Sequence, residues 1–181
     1  DILGEPGVGA DAECIALLVE ALKECGLGEG EFEVRISDRK LWFLFLGSMG
    51  LNENKAIEVL AIIDKWGRIS KEEVFEKAEK YFGNDTGKRL EQIAELLKQG
   101  EIDTLQEMVR SFGMTSTAER LVQWFDLDEQ LSNLGYKNVC KIDLSIVRGL
   151  AYYTGFVFEA YQTVGTARAL AGGGRYDDLL M

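Results

Sequence analysis

Arginine, tyrosine and glycine crowd into two stretches late in this 181-residue chain, RGLAYYTGFVFEAY (Arg148 to Tyr161) and AGGGRYDDLL (Ala171 to Leu180). A planar guanidinium suits a carboxylate or a phosphate, because its fork gives paired, charge-assisted hydrogen bonds. Arg148 and Arg175 stand close to predicted strand ends, in a chain of formal net charge −11. Tyr152 and Tyr153 are adjacent, so on an extended backbone they point to opposite faces; one hydroxyl can face a pocket while the other ring packs. Gly172, Gly173 and Gly174 let a ligand or a neighbouring strand come close to the backbone. The pattern describes a polar, anion-accepting site on a sheet. A plain antiparallel hairpin with surface arginines and core aromatics is the alternative.

What is missing narrows the chemistry. Histidine is absent altogether, which excludes a histidine general base, histidine-containing triads and histidine-ligated zinc. No Gly-Lys-Ser/Thr follows the glycine run, so it is not a Walker-type phosphate loop. Any reaction must rest on arginine, tyrosine and carboxylates.

These residues need elements to hold them. Alternating residues rich in aromatic and β-branched types predict a strand over Tyr153 to Tyr161, after another over Asn138 to Val147 that runs up to Arg148. The chain then crosses a loop at Gln162 to Thr166, re-enters a strand at Arg168 to Ala171, and begins a helix at Asp177 to Leu180. Before them, Ser116 to Leu134 reads as a helix with Leu121, Trp124, Phe125 and Leu131 on its apolar side, stopped by Gly135. At the other end, Asp1 to Gly9 reads as a strand end and a Pro-Gly loop, and Ala10 to Gly26 as a helix. Phe32 to Ile36 reads as a short strand, and Ser37-Asp38 as the cap of a helix reaching about Met49. From Gly50 the character changes. Asn52 to Trp66, Ser70 to Phe82, Asp85 to Lys98 and Ile102 to Phe112 read as amphipathic helices punctuated by glycines, and Ser70 to Glu73 fits a capping box. The expected architecture is α+β: an antiparallel sheet flanked by helices, built from 1–49 and 115–181, with an all-helical module inserted at 50–114.

Composition sets the outer bounds. With 46% hydrophobic residues and one proline, the chain should be globular with a sizeable core. No apolar run reaches ~18 residues, so no membrane span is expected, and no basic-then-apolar leader is present. Cys14, Cys25 and Cys140 form no CxxC pair and read as buried free thiols in a reducing cytosol. The acidic balance argues against a nucleic-acid binder, unless a small basic face survives on an acidic body or the chain is part of something larger.

RGLAYYTG with VFE behind it, and GGRYD after that, resemble the two histidine-specific signatures of histidyl-tRNA synthetases. The opening DILGE and the Asp-Ala-Glu helix start resemble the end of that family's motif 2, so the likeness spans both ends of the chain. The middle matches only in helical character and position. Ala151 departs from the pattern, standing where many members carry an acidic residue. The resemblance implies a class II synthetase catalytic sheet and a cytoplasmic enzyme that activates histidine with ATP and Mg²⁺, holds no metal of its own, and passes histidine to tRNA(His). Motif 1, the dimer-forming element, and most of motif 2 would then lie before Asp1, with motif 3 beyond Met181. The chain by itself would be inactive, and the full-length protein a homodimer.

Residue by residue, the resemblance puts Arg148 between the histidine carboxylate and the α-phosphate, as a permanently charged catalytic group. Asp1 and Tyr153 would recognise the imidazole, one accepting from its N–H and the other donating to its second nitrogen. Tyr152 and Tyr176 would complete the pocket, and Gly173 and Gly174 would border ATP. The inserted helices would lean over the acceptor end of tRNA, with Lys77, Lys80, Lys88, Arg89 and Lys98 as basic candidates. Two rival readings share the same residues: a histidine-sensing, synthetase-like regulatory subunit of ATP phosphoribosyltransferase, and a scaffold domain without catalysis. An intact Arg148 signature favours the synthetase over a pure sensor.

Overall fold

The computed structural model describes residues 1–111, 117–147, 153–164 and 168–178. Helix α1 (Val8–Glu24) comes first, then strand β1 (Phe32–Asp38) and helix α2 (Arg39–Ser48). Four further helices follow: α3 (Glu53–Ile63), α4 (Lys71–Phe82), α5 (Thr86–Leu97) and α6 (Ile102–Ser111). Helix α7 (Ala118–Asn133) leads to strands β2 (Cys140–Ile142), β3 (Phe156–Gln162) and β4 (Ala169–Gly174).

Local chemistry accounts for the boundaries. Asp38 caps α2 by accepting from the Leu41 N–H at 3.2 Å, Asn52 caps α3 through the Lys55 N–H at 3.0 Å, and Ser70 caps α4 through the Glu73 N–H at 3.1 Å. The Glu73 carboxylate pairs with Lys77 at 3.2 Å. Gly26 and Gly135, just past α1 and α7, adopt φ of 95° and 85°, where a side chain would be strained.

The sheet runs in the order β2-β1-β3-β4. β1 with β3, and β3 with β4, are antiparallel as expected, but β2 joins β1 in parallel. The chain leaves β1 through α2 and returns to β2 only after α7, a helical crossover, and such a connection brings the next strand back in the same direction. β2 is also shorter than the expected 138–147 segment, because the Asp143 side chain turns back to accept from the Ser145 N–H at 3.0 Å. Residues Asp1 to Gly4, expected as a strand end, form no strand.

Phe32, Val34 and Ile36 of β1 share one face of the sheet with Phe158 and Ala160 of β3, and all five are buried. They join one apolar cluster that takes in Ile15 and Val19 of α1, Trp42 and Phe45 of α2, Leu60 of α3, Ile93 of α5, Leu105 of α6 and Leu127 of α7. Each such fully buried side chain contributes roughly 1.5–3 kcal/mol. The opposite face is polar: Lys141 pairs with Glu33 at 2.5 Å, Glu33 with Arg35 at 2.7 Å, and the Arg35 guanidinium lies 4.5 Å from the centre of the Tyr161 ring. The cysteines are free; Cys14 and Cys140 are half-buried, whereas Cys25, expected inside, is exposed where α1 ends.

Candidate functional site

A cleft of about 700 Å³ opens between α1, the loop before it, and the β3–β4 end of the sheet. Asp1, Tyr153, Gly173, Gly174 and Tyr176 all line it. The two ends of the sequence therefore meet across one cavity, which no local pattern could announce. Asp1 is exposed and both tyrosines are half-buried. Arg148, Ala151 and Tyr152 lie outside the described residues.

The glycines answer to close packing. An added Cβ would come within 2.9 Å of the Phe158 ring at Gly173, and within 2.8 Å of the Phe156 carbonyl and 2.9 Å of the Tyr153 ring at Gly174. The glycine run thus lets β4 lie tight under Tyr153 and Phe158, and its own backbone borders the cleft.

Arg175 occupies the middle of this construction. Its Nη2 donates to Asp11 Oδ2 at 2.6 Å and to the Gly7 carbonyl at 2.7 Å, and its Nε lies 3.2 Å from both Asp11 oxygens. Its Nη1 reaches the Glu5 carbonyl at 3.3 Å and Asp177 at 3.2 Å. Sequence pattern offered Arg175 as a second anion-binding arginine; the protein's own acceptors take up its fork. Burial pushes the Asp11 carboxyl above its ordinary value against the pull of Arg175, while the bond to Asp11 holds the Arg175 guanidinium charged. In sequence Asp11 appears only as part of the Asp-Ala-Glu helix start, and its partner lies 164 positions away.

A second arginine, this one buried, supports the start of β3. Arg120 of α7 donates from Nε and Nη2 to the two Asp38 oxygens at 2.6 and 2.8 Å, and Trp124 Nε1 adds a third bond at 2.9 Å. The Arg120 guanidinium lies 4.0 Å from the centre of the Phe156 ring. Sequence reasoning saw Asp38 only as a cap. On the approach to Arg148, Trp42 Nε1 holds the Leu144 carbonyl at 3.0 Å, and Leu144 and Ile146 are buried.

Of the basic candidates on α4 and α5, Lys77 is paired with Glu73 and Lys80 with Glu58 at 3.1 Å, while Arg89 donates to Gln92. Among the described residues no group of three or more potential ligands is arranged to hold a metal ion, and no helix is long and apolar enough to cross a membrane.

The four-stranded mixed sheet flanked by helices, with an aromatic and glycine-lined cleft at its edge, is an α+β architecture whose structural neighbours are class II histidyl-tRNA synthetases. A crystal structure of histidyl-tRNA synthetase from Nostoc sp. PCC 7120 matches it with a TM-score of 0.83 at 25% identity, covering 97% of this chain and 42% of that one. The model of the family described as Histidyl-tRNA synthetase matches residues 1–181, and the chain belongs to that family. A histidine–tRNA ligase of Opitutus terrae is 40% identical over 180 residues, which are 99% of this chain and 41% of the relative. The chain thus spans about two-fifths of the length of such relatives. A Bacillus halodurans structure described as an ATP phosphoribosyltransferase regulatory subunit/histidyl-tRNA synthetase matches with a TM-score of 0.79 at 30% identity, covering 98% of this chain and 45% of that one.

Proposed function

We propose that this chain is the histidine-recognising part of a histidine–tRNA ligase, which joins histidine to the α-phosphate of ATP as the adenylate with release of pyrophosphate, and passes it to tRNA(His) with release of AMP. The observation that carries this reading is the cleft that collects Asp1, Tyr153, Tyr176, Gly173 and Gly174 from opposite ends of the chain. Family membership supports it.

The chemistry follows from the residue types. Adenylation brings a carboxylate onto a phosphate, so two anions must approach. The Arg148 guanidinium, touching both, lowers that cost and stabilises charge on the pentavalent phosphorus; one such contact is typically worth ~3 kcal/mol or more. Mg²⁺ arrives with ATP as part of the substrate. Asp1 accepts from one imidazole nitrogen and Tyr153 donates to the other, so an apolar amino acid would leave both unpaired and be rejected. Tyr176 lines the pocket, and the resemblance assigns Tyr152 to it as well. Residues 1–49 and 115–181 form the catalytic part, and 50–114 the module that leans toward the tRNA acceptor end. The full-length protein acts as a cytoplasmic homodimer, and this stretch alone is inactive.

Histidine-dependent pyrophosphate exchange into ATP by the full-length protein tests this. Exchange is expected with wild type and is expected to be lost in Arg148→Ala; exchange absent from wild type, or unchanged in the variant, rejects the mechanism. Likeness to the Bacillus halodurans structure supports a second reading, a histidine sensor in a regulatory subunit. Histidine binding without any exchange would favour it.

A further inference from the structure

Each side-chain nitrogen of Arg175 is engaged on a segment beside the cleft. Its main chain is equally committed. The Arg175 N–H donates to the Phe156 carbonyl at 2.8 Å and its carbonyl accepts from the Thr154 N–H at 2.7 Å, which locks it between the neighbours of Tyr153 and Tyr176. Among the described residues, the side-chain hydrogen bonds that reach residues 1–7 from outside that segment are the two from Arg175, to the Glu5 and Gly7 carbonyls. Gly155 clears the way for the stem, since a Cβ there would meet Arg175 Cδ at 3.0 Å and Cβ at 3.3 Å.

We infer that Arg175 is a positioning residue that sets the gap between the loop carrying Asp1 and the phenols of Tyr153 and Tyr176, and thereby the affinity for the histidine side chain. The inference rests on the proposed reading of the cleft. One residue spans β4, the pre-helix loop and α1, and only a fork with several donors can hold all three at once; a lysine keeps the charge beside Asp11 but not the simultaneous grip on two carbonyls. Since the gap sets where the two ring-recognising groups meet the imidazole, loosening it weakens histidine and leaves ATP alone.

The test is pyrophosphate exchange by the full-length protein carrying Arg175→Gln, Arg175→Lys or Gly155→Ala, with KM measured separately for histidine and ATP and the melting temperature recorded. The KM for histidine is expected to rise about tenfold or more in Arg175→Gln, with Arg175→Lys between it and wild type and the KM for ATP within about twofold. Gly155→Ala, which presses on the arginine without removing charge, is expected to move the histidine KM the same way. Folded variants with a lowered melting temperature but a wild-type histidine KM would overturn the inference, as would equal rises for both substrates. If Arg175→Gln does not fold, the other two variants decide. Wild type that exchanges while the variants keep its histidine KM sinks this inference alone; wild type with no histidine-dependent exchange sinks the functional reading and this with it.

Discussion

Replacing Arg120 by methionine removes one half of a bidentate ion pair in which the arginine side chain is 5% exposed and that of Asp38 not at all. The Asp38 carboxylate would keep the bonds from the Leu41 N–H and Trp124 Nε1 but lose both guanidinium contacts, and water cannot replace them. Stranding a buried charge costs about 3–5 kcal/mol, a large share of a domain's usual stability. The lost contact over the Phe156 ring falls within that range. Asp38→Asn keeps the shape but sets an amide against donors, for about 2–4 kcal/mol. Combining the two leaves neither an unpaired charge nor a stranded donor fork, so the double variant should be less destabilised than the sum by about 2 kcal/mol or more. Urea denaturation followed by tryptophan fluorescence suits the measurement, because Trp124 is itself bonded to Asp38. Additive losses, or an Arg120→Met variant within about 1 kcal/mol of wild type, would refute the reasoning.

Two further outcomes concern titration. The hydrogen bond from Lys141 holds the Glu33 carboxyl below its ordinary value of 4.5, with burial opposing. A depressed folded-state value adds stability above pH 4.5 that is lost as the pH falls through it. Glu33→Gln should therefore melt lower than wild type at neutral pH, with the gap shrinking as the pH drops below 4.5; a constant or widening gap would contradict this. Burial pushes the Cys140 thiol up to about 12, so it holds almost no thiolate near pH 8. Alkylation followed by peptide mass spectrometry should label exposed Cys25 first and Cys140 last, and equal rates would count against the assigned burial.

Much of the fold was legible because local rules and tertiary structure agree. Asp38, Asn52 and Ser70 cap the helices that their types announce, and the alternation behind Gly155 becomes β3. β3 begins at Phe156 and not Tyr153, although the Thr154 N–H still bonds the Arg175 carbonyl. Sheet direction was not legible, since a parallel β2 depends on where a long helical excursion re-enters. Nor were the two arginine pairs. Arg120 meets Asp38 across 82 positions and Arg175 meets Asp11 across 164, so no residue alone announces its partner. The tyrosines, the glycine run and Asp1 were nominated through their motifs, and the fold brings the described ones to a single cavity.

Because that cavity is walled by residues 1–21 on one side and 153–177 on the other, it has a history as well as a shape. On the ribosome its first wall emerges long before its second, and must wait while helices α2 to α7 and two strands in between are made. Leu3 and Leu17 on that wall stay exposed even in the finished fold. Yet the wait costs little in stability, since doubling the length of a connecting loop adds only about 0.6 kcal/mol of closure entropy. Lengthening or trimming the intervening helices should thus alter when a nascent chain first becomes able to hold an amino acid far more than how tightly the finished one does.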